Sequence, residues 1–194
     1  MAAVPVLADK AKIKDHMATS DEITQIADRF TLIANQFCSA VDSAPGIDRA
    51  ELLTKIYRIL PALIDAAISL PDVSRDDDDE LEGSSRRRSR VGWFSEQEWD
   101  KLYNFLKEKL GDWDLYHQVF DPTEDSEAIV GTLADDVADI YRDLKDGLAF
   151  IETHQGSPEE DAIWTWRLLF YSHWGKHAMD ALLTIHFRLQ NSLS

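Results

Sequence analysis

The sequence predicts an all-α fold, a single-domain up-and-down helical bundle of about five helices. Three observations predict it. Apolar residues recur every three or four positions through most of the chain, and three of those runs open with Thr, Asp or Ser followed three residues later by Glu. No stretch alternating apolar and polar residues competes with them. At 194 residues the chain suits one domain and buries a sizeable core without disulfide or metal support.

Residues 1–18 read as a flexible tail, whose charges follow a short apolar patch, the reverse of a secretory signal. Thr19 and Glu22 have capping-box spacing, and Ile23, Ile26, Phe30, Ile33, Phe37 and Val41 then define a first helix ending near Ser43. Asp48 and Glu51 open a second, carried by Leu52, Ile56, Ile59, Leu60, Leu63 and Ala67. Pro61 removes one backbone donor inside it and should kink it, and the short connection favours an antiparallel pair.

From Pro71 to Gly92 the composition changes. Six acids between Asp76 and Glu82 precede four arginines between Arg86 and Arg90, with almost nothing apolar, and the stretch reads as a mobile loop within a bundle domain spanning 19–194. Its opposite charges lie close enough to cancel beyond a Debye length of about 10 Å.

Ser95 and Glu98 start a third helix through Trp99, Leu102, Tyr103, Phe105, Leu106 and Leu110, which Gly111 ends. Trp113, Leu115, Tyr116, Val119 and Phe120 are too apolar for an exposed loop and predict a short helical turn on the core, stopped at Asp121-Pro122. A fourth helix is expected from about Glu127 to Glu152, with an acidic side of Asp135, Asp136, Asp139, Asp143 and Asp146. Ser157-Pro158 and two following glutamates open the last helix. Its segment from Trp164 to His186 is the longest apolar-rich run, so the last helix is expected to be the most buried. Gly175 in its middle should mark close approach of another backbone or a bulky ring such as Trp174 or Trp113.

The totals exclude several functions. With 36 acidic against 20 basic residues and a formal charge of −16, a general affinity for nucleic acid or anionic membrane is not expected. No apolar run reaches the roughly 18 residues of a membrane span. The single Cys38 cannot close an internal disulfide and falls on a buried helical face, which points to the cytoplasm and away from a nucleophile. Catalytic signatures such as GxSxG, a phosphate-binding loop, GxGxxG or a CxxC pair do not occur.

Two constellations remain. His173 and His177, four apart, put both imidazoles on one helical face at the spacing of helix-borne metal ligands; Asp180 continues the row, and Asp139 of the fourth helix could complete an N/O site for zinc or iron. The plainer alternative is a pair of histidines hydrogen-bonded at the edge of the core. Arg167, a guanidinium amid apolar residues, must be paired or reach water. Asp136 and Asp143, seven apart at the border of the fourth helix's buried face, are its expected salt-bridge partners. Alternatively it receives a small anionic ligand in a pocket walled by Trp164, Trp166, Tyr171 and Trp174.

The runs LADDVADIYRDLKDGL from Leu133 and AIWTWRLLFYSHWGKHAMDALLTIH from Ala162, with FTLIANQFCSAVD, LLTKIYRILPALIDAAISLP and YHQVFDP upstream, resemble the DUF5063 family of bacterial proteins of unknown function. The resemblance spans about Ile23 to Leu189. It implies an all-helical bacterial domain and no particular reaction. The reading that follows is a cytoplasmic, non-enzymatic interaction or accessory module with a protein partner, monomeric or homodimeric and without a cofactor. The rivals are a metal-binding bundle or metal-dependent enzyme, and a sensor of an anion through Arg167.

Overall fold

The sequence signals for helix starts hold at atomic detail in the computed structural model, which describes residues 19–73, 94–119, 122–124, 127–153 and 158–192. Thr19 caps α1 (Ser20–Asp42): its hydroxyl accepts the Glu22 N–H at 3.3 Å while the Glu22 carboxylate accepts the Thr19 N–H at 2.8 Å. Asp48 caps α2 (Arg49–Ile68), which continues through an exposed Pro61. Ser95 and Glu98 repeat the reciprocal cap at α3 (Glu96–Leu110), which closes at Gly111 with φ +56°. The expected tail 1–18 and residues 74–92 of the charged stretch lie outside the described residues.

The structure departs from the expected fourth helix at its start. A 3₁₀ turn at Gly111–Trp113 leads into β1 (Leu115–Val119), which pairs antiparallel with β2 (Ala128–Thr132) in the register Tyr116 to Gly131 and Gln118 to Ile129. The apolar cluster after Trp113 is therefore an edge hairpin rather than a helical turn. Its alternation is short and apolar on both faces: Tyr116 and Gln118 are half-buried against the helices, while Leu115 and Val119 are exposed. That two-sided apolarity conceals the period of two. Gly131 is required opposite Tyr116, since a Cβ there would stand 2.7 Å from the phenol ring.

The fourth helix, α4 (Leu133–Thr153), begins only after the hairpin, and its first turn is satisfied from a distance. Asp114, buried, accepts the Ala134 N–H through its side chain at 2.8 Å, and its carbonyl accepts the Leu133 N–H at 2.9 Å. α4 packs against α1, α3 and the last two helices, α5 (Pro158–Leu169) and α6 (Gly175–Ser192). It is consequently the most enclosed element. The last helix, expected to hold that place, leaves Met179, Leu183 and Phe187 exposed on its outer side.

Between α5 and α6 the helix widens into a π turn at Phe170–Trp174, where the Gly175 N–H reaches back to the Phe170 carbonyl. The sequence contains the reason. Trp166, Phe170, Trp174 and Ala178 are all buried at spacings of four, and each such step drifts about 40° around a regular α-helix. One wider turn absorbs the drift and keeps the whole row on the core. Gly175 makes the turn possible, because a Cβ there would meet the Phe170 carbonyl oxygen at 2.2 Å and its ring at 2.9 Å. The close approach expected at Gly175 exists, with Phe170 in place of Trp174 or Trp113. In the core the Trp166 ring lies 4.5 Å from that of Phe30, centroid to centroid, and Phe170 meets Trp174 edge-on at 4.8 Å.

Candidate metal centre

Asp136, Asp139 and Asp143 recur on α4 at steps of three and four, so they share one face of the helix. That face lies against the start of α6 and the π turn. All three are nearly inaccessible, at 2 %, 7 % and 6 % exposure, deeper than the border position expected for Asp136 and Asp143. Buried carboxylates must be paired, protonated or bound to a metal.

Opposite them, the π turn supplies His173 and the first turn of α6 supplies His177, with ring centroids 5.1 Å apart. His173 Nδ1 lies 2.6 Å from Asp143 Oδ2, and His177 Nδ1 lies 2.8 Å from Asp136 Oδ1. A carboxylate accepts, so both Nδ1 atoms carry the proton and, in the neutral rings, both Nε2 atoms are left with a free lone pair. Those two atoms converge. His173 Nε2 stands 3.6 Å, and His177 Nε2 3.5 Å, from the same oxygen, Asp139 Oδ2.

The other oxygen of Asp139 is held in place. Asp139 Oδ1 accepts the Trp99 indole N–H at 2.9 Å and the Arg142 guanidinium at 2.7 Å. Trp99 is itself fixed by stacking on Tyr103 at 5.1 Å. Asp136 Oδ2 accepts the Tyr116 hydroxyl at 2.7 Å, so the hairpin reaches the site through one phenol. Every group that presents an atom to the common point is thus gripped on its far side.

The electrostatics match. Burial pushes the Asp136 carboxyl up, opposed by its bonds to His177 and Tyr116. Burial works to lower His177, yet the hydrogen bond and charge of Asp136, with Asp139 and Asp135 behind it, hold the imidazole above its ordinary value. Asp135, half-buried one turn before Asp139, is raised by burial and by the Asp139 charge. Burial and the neighbouring Asp136 raise the Tyr116 phenol far above its ordinary range, so it donates and does not ionise. The fixed cation within this group of four aspartates is Arg142.

Of the residues singled out in the sequence, His173, His177 and Asp139 come together, and their candidate ligand atoms all lie within 4.8 Å of one another. Asp180 is drawn away: it pairs with Lys176 at 2.5 Å, and Lys176 also reaches Gln118 on the hairpin at 2.6 Å. Arg167 takes a different partner from the one expected. Its Nη1 donates to the Leu70 carbonyl at 3.0 Å and its guanidinium lies 5.2 Å from the Tyr171 ring centroid, while Asp136 and Asp143 are engaged by His177 and His173. The expected Arg167 bridge does not form because Arg167 lies on the side of α5 that faces the residues just after α2. Nor does the open groove beside α1, about 580 Å³ and lined by Leu32, Gln36, Lys55 and Arg58, extend to Arg167. The contributions of Trp99, Tyr116 and Arg142 are not readable from the sequence, because each depends on tertiary packing.

Residues 21–190 match the family described as Domain of unknown function (DUF5063). The chain belongs to the DUF5063 family. No curated protein matches it. Among solved structures the DUF5063 chain is similar to protein BF1032 from Bacteroides fragilis, with a TM-score of 0.67 and 22% identity over 84% of this chain and 90% of that one. At that identity the likeness establishes the shared helical fold. Neither comparison names a reaction or a ligand, and no helix among the described residues is long and apolar enough to cross a membrane.

Proposed function

We propose that this DUF5063 protein is a metal-binding helical bundle. It holds one divalent transition ion between α4 and α6, through Nε2 of His173, Nε2 of His177 and Oδ2 of Asp139. One observation carries the reading: both Nε2 atoms face a single carboxylate oxygen at 3.5 and 3.6 Å, too long for good hydrogen bonds. Donors about 2.0 to 2.1 Å from a tetrahedral ion stand about 3.3 to 3.4 Å apart, close to the separation of each Nε2 from the Asp139 oxygen.

A second layer of contacts supports it. Carboxylates on both Nδ1–H groups are the arrangement that fixes the tautomer of metal-binding histidines and raises their basicity. Two imidazoles and one carboxylate suit zinc or iron rather than calcium or magnesium, which prefer all-oxygen sites. An ion also offsets the excess of buried carboxylate over guanidinium.

The test is elemental analysis and calorimetric titration of protein purified without a metal-affinity tag. Wild type should bind one equivalent of zinc, and the His173→Ala, His177→Ala double variant none while keeping its helical circular dichroism. A folded wild type that takes up no zinc, iron, cobalt or manganese would overturn the reading.

A second reading, an interaction module, is favoured by exposed Tyr171, Met179, Leu183 and Phe187 along the last helix. It concerns the outer face and is compatible with an ion on the inner one. A reducing, cytoplasmic setting suits the buried free thiol of Cys38.

A further inference from the structure

Resting on the metal-binding reading, we infer that the centre is hydrolytic. Asp135 takes the proton from a metal-bound water, and the substrate is a neutral or cationic carboxylic ester or amide. The inference starts from coordination number. Structural zinc sites are closed by four protein ligands, whereas catalytic ones keep three and leave a position for water. Here three side chains converge, and the imidazoles of His173 and His177 remain 34 % and 22 % exposed, so solvent reaches the side away from α4's core.

Asp135 is the further carboxylate beside the three, close enough for its charge to act on Asp139, His177 and His173. It lies one helical turn before Asp139 on the same face of α4, and its oxygen falls within 4.8 Å of a ring nitrogen of His177. Asp136, Asp139 and Asp143 each have hydrogen-bond partners that hold them in place, and Asp180 has Lys176. Among the described residues the Asp135 carboxylate has no hydrogen bond or ion pair. It is therefore free to accept a hydrogen bond from a water on the ion.

The step balances without any oxidant or reductant. The bound water gives its proton to Asp135, and the resulting hydroxide adds to the carbonyl carbon. The bond to the leaving oxygen or nitrogen then breaks, and the proton passes to the departing alcohol or amine. Substrate charge follows from the surroundings. Asp135, Asp136, Asp139 and Asp143 crowd the centre of a protein with a formal charge of −16, a field that disfavours phosphate and other anionic substrates.

The experiment uses full-length protein loaded with one equivalent of zinc, with 4-nitrophenyl acetate and bis(4-nitrophenyl) phosphate as probes. Loaded wild type should cleave the acetate faster than metal-free protein and leave the phosphate diester untouched. Asp135→Asn should keep one zinc and its circular dichroism while losing about 100-fold in kcat. Ester cleavage no faster than in metal-free protein, or an Asp135→Asn variant as fast as wild type, overturns the inference. So does loss of zinc from Asp135→Asn, which would make Asp135 a fourth ligand and the site closed. Faster cleavage of the phosphate diester overturns the substrate class. A wild type that binds no zinc overturns the metal reading itself, a separate result.

Discussion

Asp143 accepts the Nδ1–H of His173 at 2.6 Å, the shorter of the two carboxylate–imidazole bonds that cross from α4 to the last helix. Asp136 does the same for His177 at 2.8 Å. Each fixes which ring nitrogen is free. Asp143→Asn and Asp136→Asn should each weaken zinc binding by about 10- to 100-fold while leaving the stoichiometry at one. Isothermal titration checks this; unchanged affinity in both variants would mean that the carboxylates do not orient the imidazoles.

Acid should release the ion. His177 is held above its ordinary pKa of 6.5, so in metal-free protein its protonated form stabilises the fold fully below that value. The contribution disappears as pH rises through the raised value. Metal binding has the opposite sign, because ion and proton compete for the same Nε2. Zinc affinity measured from pH 8 downward should therefore begin to fall above pH 6.5. Affinity flat between pH 8 and 5.5 would contradict this.

Gly175→Ala tests the π turn. The new methyl would press on the Phe170 carbonyl at 2.2 Å, an atom of the backbone that cannot swing aside. We expect a loss of about 1 to 3 kcal/mol in stability. Zinc binding should weaken as well, because the turn that positions His173 must open. A variant equal to wild type in both would show that the wider turn is dispensable.

Gly147→Ala provides the contrast. Its Cβ would stand 2.0 Å from Nε1 of Trp166, a fully buried indole with Phe30 against its ring. Thermal denaturation should show a loss of about 1 to 3 kcal/mol. The zinc stoichiometry should stay at one, since Gly147 is a full turn beyond Asp143.

Cys38 should be inert in the native state. Burial is the main cause that pushes its thiol up to about 12 from an ordinary 9.0, with a lowering influence from Lys145. A thiol-specific reagent at pH 8 should label unfolded protein quickly and native protein only at the rate of unfolding. The raised value also stabilises the native state fully below pH 9 and is lost as pH climbs toward 12. Fast native labelling would place Cys38 at the surface.

Much of this was legible in the chain, and the exceptions have physical causes. The caps at Thr19, Asp48 and Ser95 were readable because helix capping is local chemistry. The facing rows of His173 with His177 and of Asp136 with Asp139 and Asp143 were readable as helical spacings. Which residue of one row meets which of the other depends on how α4 and the last helix pack, and spacing within either helix carries no such information. Arg167 was therefore given Asp136 and Asp143, when their partners are histidines six and ten residues further along. Tyr116 and Trp99 reach the site from other elements, so only tertiary packing reveals them. The hairpin was missed because five-residue strands with apolar side chains on both faces lose the alternation that marks a strand.

The π turn also divides one continuous rod into two phases. Before it, Trp166 is set by packing against Phe30 and Gly147; after it, the sequence of α6 answers to a different set of neighbours. A single surplus residue works like a vernier between two scales, so the rotational setting of the imidazoles is decoupled from that of the core indoles. Changes that repack one half can then accumulate without turning the other. Removing an exposed residue such as Ser172 would lock the two scales together and force either His173 or Trp174 off its mark.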